Sequence, residues 1–92
     1  MPDIVVEKVG EEPLEYRVML REDEEVVGEY GVSVSEDEYE RYGGDVEPHE
    51  LVQATFTFLL AREEPEAIAA QFSLSEVEKH FPEYPDDVQD YF

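Results

Sequence analysis

The 92-residue sequence predicts an α+β fold: a three-stranded antiparallel meander at the N-terminus, covered on one face by a long central helix and short C-terminal helices. Three features predict it. Residues 14–21 and 26–35 alternate side chains between two faces with the two-residue period of half-buried strands. Pro48–Arg62 carries apolar residues over more than half of a helix circumference. A surface helix needs a stripe of only about 100°, so this one calls for cover on two sides. Prolines at 65, 82 and 85 then divide the rest into short helical pieces, which supply the second cover. Helices segregated to one face of an antiparallel sheet satisfy all three. With no linker or internal repeat, residues 1–92 read as one domain.

Asp3–Val9 reads as the first strand, carrying β-branched Ile4, Val5, Val6 and Val9, and Gly10–Pro13 as the turn after it. In the second strand Leu14, Tyr16, Val18 and Leu20 share one face, while Glu15, Arg17, Met19 and Arg21 share the other. Glu22–Glu25 forms a polar hairpin tip. A third strand follows, with Val26, Tyr30, Val32 and Val34 alternating against Val27, Glu29, Ser33 and Ser35, and with Gly28 and Gly31 as candidates for a bulge. Ser35 and Glu38 have capping-box spacing, and the short helix they begin runs through Tyr42 to a left-handed cap at Gly43-Gly44. Pro48 suits the first position of the central helix, and Pro65 stops it. Glu66–Phe72 is expected as a further helical turn or two, presenting Ile68 and Phe72. Ser73–Glu76 restarts a helix carrying Leu74, Val77 and Phe81, and Asp86–Phe92 makes a last turn with Val88 and Phe92 inward. The central helix should lie on the sheet face formed by Tyr16, Val18, Tyr30 and Val32.

Charge is the exceptional feature: 26 acidic residues against 6 basic ones give a formal charge of −20. A folded chain of this size exposes about 210 Å² per carboxylate, a mean spacing of ~15 Å. That exceeds the Debye length of about 8 Å in physiological salt, so evenly spread charges are tolerable. Glu22–Glu25 and Glu63-Glu64 are closer than this average, and their repulsion should cost stability at low salt. A disordered acidic tail would lack aromatic and β-branched residues, whereas this chain has 5 Phe, 6 Tyr and dense Val.

Motifs that carry chemistry are missing from the sequence. Without cysteine there are no disulfides, thiolate metal sites or thiol nucleophiles. His49 and His80 are far apart in sequence and lack the spacing that sets two imidazoles on one helical face, so no metal is expected. Asp86, Asp87 and Asp90 lack the rest of a calcium loop. Gly43-Gly44 is not followed by the Lys-Ser/Thr of a phosphate loop, and no serine sits in a nucleophile elbow. No apolar run reaches the length of a membrane span, and residues 1–7 lack the features of a secretory signal, so the expected location is the cytoplasm.

Several resemblances bear on function. The acidic, lysine-poor composition resembles the adaptation of proteins from salt-accumulating halophiles, which implies a surface kept hydrated by carboxylates. Ala67–Lys79 resembles, at its start, a helix-turn-helix of transcription regulators. Val77 follows Ser75 too closely for that family, and Glu76 and Glu78 would repel phosphates, so direct nucleic-acid binding is not expected. Tyr16–Leu60 resembles small β-β-β-α antitoxin-like domains, which implies a regulatory partner. Pro48, Glu50-Leu51-Val52, Ala54, Phe56, Phe58-Leu59-Leu60 and Arg62-Glu63, with Phe72, Leu74-Ser75 and Phe81–Tyr84, resemble a group of short prokaryotic proteins with no assigned activity.

The leading expectation is a small non-catalytic interaction or accessory domain, without cofactor or metal, existing as a monomer or weak homodimer. Tyr84, Tyr91 and Phe92 are its candidate partner contacts, since tyrosines are favoured as binding anchors. The free edge of the first or third strand offers a second route, by strand addition. The alternatives are a nucleic-acid charge mimic that occupies a basic groove and the antitoxin-like regulatory domain.

Overall fold

A computed structural model describes residues 3–43 and 45–92. β1 (Asp3–Glu11), β2 (Leu14–Glu22) and β3 (Glu25–Val34) form the expected antiparallel meander. The β1–β2 turn is Glu12-Pro13, and the tip between β2 and β3 is reduced to Asp23-Glu24. Both tip residues lie in the left-handed region, at φ 53° and 69°. Those dihedrals match the twist of a two-residue hairpin, although Asn-Gly is the pair that adopts them with least strain. The register shifts between Leu20 and Arg21, opposite Val26 and Gly28, which places the bulge beside one of the two glycines expected to mark it. A second shift falls between Lys8 and Gly10 in β1.

Helix α1 (Glu36–Tyr42) begins at Ser35 with both capping-box hydrogen bonds in place, Glu38 N–H to Ser35 Oγ at 3.1 Å and Ser35 N–H to Glu38 Oε1 at 2.9 Å. The other Glu38 oxygen accepts from Ser75 N–H at 2.8 Å, so one carboxylate serves the starts of two helices. Burial would raise the Glu38 pKa, but these N–H donors outweigh it and hold the carboxyl below its ordinary value. Gly43 is not left-handed as expected; it has φ −124°. A Cβ there would lie 2.9 Å from Leu51 Cδ2, so close approach to the next helix is what requires glycine. Gly44 lies outside the described residues.

Helix α2 (Pro48–Leu60) is the centre of the molecule. One flank meets the sheet face of Tyr16, Val18, Leu20, Tyr30, Val32 and Val34, and its own Leu51, Val52, Phe56 and Phe58 are fully buried. The other flank is closed by α3 (Leu74–His80), α4 (Tyr84–Asp87) and a 3-10 turn at Val88–Tyr91, through Leu74, Val77, Tyr84 and Val88. Arg62 fastens the helix end to that cover. Its guanidinium stacks 3.8 Å above the Phe58 ring and pairs with Asp87 at 2.9 Å and Glu83 at 3.6 Å.

Glu66–Phe72 departs from expectation. In place of further helix, Pro65–Ala67 is a single 3-10 turn and Gln71–Ser73 is a fourth strand, β4, parallel to Gly31–Ser33 of β3. The sheet order is β1-β2-β3-β4. A parallel neighbour needs a long crossover, which α1 and α2 supply. Gly31 N–H donates to Ala70 O at 2.7 Å, and Tyr30 Oη donates to Pro65 O at 2.7 Å. The Tyr30 ring reaches that carbonyl across Gly28, where a Cβ would sit 2.5 Å from the hydroxyl oxygen. β4 also covers part of the β3 edge that the sequence left free for strand addition, whereas β1 ends the sheet on the other side.

Candidate functional site

Tyr84, Tyr91 and Phe92 do not form one surface. Tyr84 is fully buried, its ring tilted against Tyr42 and set edge-on to Phe58, which corrects its expected role as a partner contact. Its hydroxyl lies 2.7 Å from Thr55 Oγ1, itself buried, and burial pushes the Tyr84 pKa far above its ordinary value. The proline-flanked turn carries this ring inward, under α2. Tyr91 and Phe92 do reach solvent, 38% and 49% exposed, and line a cleft of about 270 Å³ with Gln53 and Thr57 on the polar strip of α2. Val88 turns inward as expected, while Phe92 turns out.

A larger concavity than this cleft lies where three segments converge. The end of α2 brings Leu59 and Glu63, the 3-10 turn and β4 bring Ile68 and Phe72, and α3 brings Val77, Lys79 and His80, followed by Phe81. The groove encloses about 370 Å³. Its floor is apolar: Leu59, Ile68 and Val77 are nearly inaccessible, and Phe72 and Phe81 are half-buried. The sequence places the same residues in the core, and they remain part of it, since Phe72 packs tilted against Phe56 and Phe81 edge-on to Phe58. The concavity comes from the strand conformation of Gln71–Ser73, which turns the chain away from α2 before α3 brings it back. Lys79 and His80 stand on one rim in the last turn of α3, and Glu63 and Glu76 are the acidic rim groups. The segment that resembles a helix-turn-helix lines this groove, but with a 3-10 turn and a strand where a first helix is required.

The rim side chains of the groove are not hydrogen-bonded to one another among the described residues. Among those residues no group of three or more His, Cys, Asp or Glu side chains is placed to hold a metal ion, and no buried side-chain nitrogen or oxygen lacks a hydrogen-bond partner. What the arrangement offers is an apolar seat with both signs of charge at its edge, large enough to take one or two large side chains. No helix among the described residues is long and apolar enough to cross a membrane. No protein-family model, curated protein or solved structure matches this chain.

Proposed function

We propose that this chain is a small non-catalytic interaction domain, adapted to concentrated salt, which seats apolar side chains of an extended protein segment in the groove between α2, β4 and α3. The groove itself carries the reading: its floor of Leu59, Ile68, Phe72, Val77 and Phe81 is rimmed by Lys79 and His80 in a chain otherwise dominated by carboxylates. Apolar anchors in a desolvated pocket supply most of the energy of such contacts, and the surrounding charges set register and suppress wrong partners. The free edge of β4 runs beside the groove and suits a segment arriving in extended form.

Selection of peptides from a random library in molar KCl tests the reading, with binding mapped by amide chemical shifts. Ile68, Phe72 and Val77 should move on binding. Ala69→Glu, at an exposed position on the groove lip, should abolish binding without unfolding the domain. Peptides that shift only residues elsewhere, or a library that yields no binder, would count against the groove.

A further inference from the structure

The helices leave the second face of the sheet uncovered, and its side chains depart from the character of the rest of the surface. Across the outward rows, Arg21 lies between Asp3 and Val26, Met19 between Val5 and Glu29, and Arg17 between Glu7 and Gly31, while Glu15 neighbours Ser33. Val26 is 53% exposed and Val9, beside the β1 bulge, 52%. Arg41 and Arg62 pair with carboxylates, and Arg17 pairs with Glu29 at 3.4 Å. Among the described residues Arg21 has no carboxylate within ion-pair distance, in a chain with 26 acidic residues. Near Gly31 and Ser33 the face is hollow, an open trough bounded by Val9, Glu15, Arg17, Glu29 and Gln71.

We infer that the occupant of this face is a second copy of the chain. The outward row of β2 reads Glu15, Arg17, Met19, Arg21. A two-fold axis parallel to the sheet, above its open face and perpendicular to β2, reverses that row, setting Arg21 of each copy against Glu15 of the other and Arg17 against Met19. The same operation carries Val26, the prominent end of the β3 row, over Ser33 in the trough and brings Glu29 over Gly31 beside Arg17. Bulk meets hollow and positive meets negative twice over, as an isologous contact requires. Three nine-residue strands present a footprint of about 400 Å² per copy, from the rise and spacing of strands, before side-chain relief is added. Against the roughly 800 Å² per partner of a standard interface, this is a weak dimer. Two chains of charge −20 also repel, so the contact forms where salt screens the long-range field and leaves the short Arg21–Glu15 pairs.

Sedimentation velocity across a protein concentration series in molar KCl decides the matter, with circular dichroism on every variant to confirm folding. The wild type should approach twice the monomer mass as concentration rises and return to the monomer on dilution. Arg21→Glu should weaken the dimer about a hundredfold, because the two-fold repeats each clash. Adding Glu15→Arg to that variant should restore it. Val26→Lys, at an exposed site that folding tolerates, should weaken it independently. A wild type that stays monomeric throughout, a dimer indifferent to Arg21→Glu and Val26→Lys, or a double variant that remains monomeric would each overturn the proposal.

Discussion

Thr55 has a single proton to donate, and the core settles where it goes. The Leu51 carbonyl, 2.8 Å from Thr55 Oγ1, can only accept, so Thr55 donates there and Tyr84 donates to Thr55. The two substitutions that break the Thr55–Tyr84 bond should therefore differ. Tyr84→Phe removes a donor and leaves Thr55 satisfied, at a cost of about 0.5–1.5 kcal/mol. Thr55→Val leaves the buried Tyr84 hydroxyl without a partner and should cost more, about 1–3 kcal/mol. Urea unfolding of the pair in the same salt checks this; equal costs, or the reverse order, would refute the proton assignment. Tyr42, also buried, makes the related case. Burial, and then its hydrogen bond to Glu78 at 2.6 Å, push its pKa up to about 12 from the ordinary 10.0. Folding thus favours the neutral phenol. The stabilisation is intact below about pH 10 and is lost as pH rises through 12, with Tyr84 shifted in the same direction. Alkaline unfolding monitored by tyrosinate absorbance should coincide with loss of the circular dichroism signal. Ionisation of Tyr42 and Tyr84 well before unfolding would contradict the packing described. The inward position of Tyr84 was not legible in the sequence, because an aromatic between Glu83 and Pro85 carries no periodicity to say which way it faces.

Among the elements, the β2–β3 hairpin is the one the sequence serves least well. Asp23 and Glu24 occupy left-handed dihedrals that favour Asn and Gly, and Glu22 lies directly opposite Glu25. Replacing Asp23-Glu24 with Asn-Gly should stabilise the domain by about 1–2 kcal/mol at low salt, from relief of backbone strain and of like-charge repulsion. In molar KCl the gain should shrink to its backbone part. Thermal unfolding at both salt concentrations would show this, and a gain independent of salt would mean that the clustered charges cost nothing. Other elements were plain in advance because their signals are local: the alternation from Leu14 to Arg21, the Ser35–Glu38 capping box and Pro48 at the helix start each depend on residues within one turn or strand. β4 was hidden for the opposite reason. Three residues are too few to show a period, and their strand conformation comes from pairing with Gly31–Ser33, far away in sequence. The groove shares that origin, since its floor exists only once α2, β4 and α3 are brought together.

At the scale of the molecule, charge sets the conditions under which everything else holds. Acidic residues occur on both faces of the sheet and on every α-helix, over an accessible surface of 5693 Å², and the ion pairs among the described residues are mostly exposed and individually weak. Stability should therefore rise steeply with KCl toward molar concentration, as followed by circular dichroism; full stability in dilute buffer would remove the case for salt adaptation. The topology adds a demand of a different kind. The meander is complete once Val34 has been made, but the strand that closes the β3 edge belongs to the last quarter of the chain. At synthesis rates of about 5–20 residues per second, the nascent sheet waits on the order of seconds with that edge bare and its apolar face uncovered. Neighbouring nascent chains on one messenger would be free to pair there. Glu25, Glu29, Glu36 and Asp37, on and after β3, set like charges along that stretch, the kind of device by which exposed sheet edges resist pairing at close range.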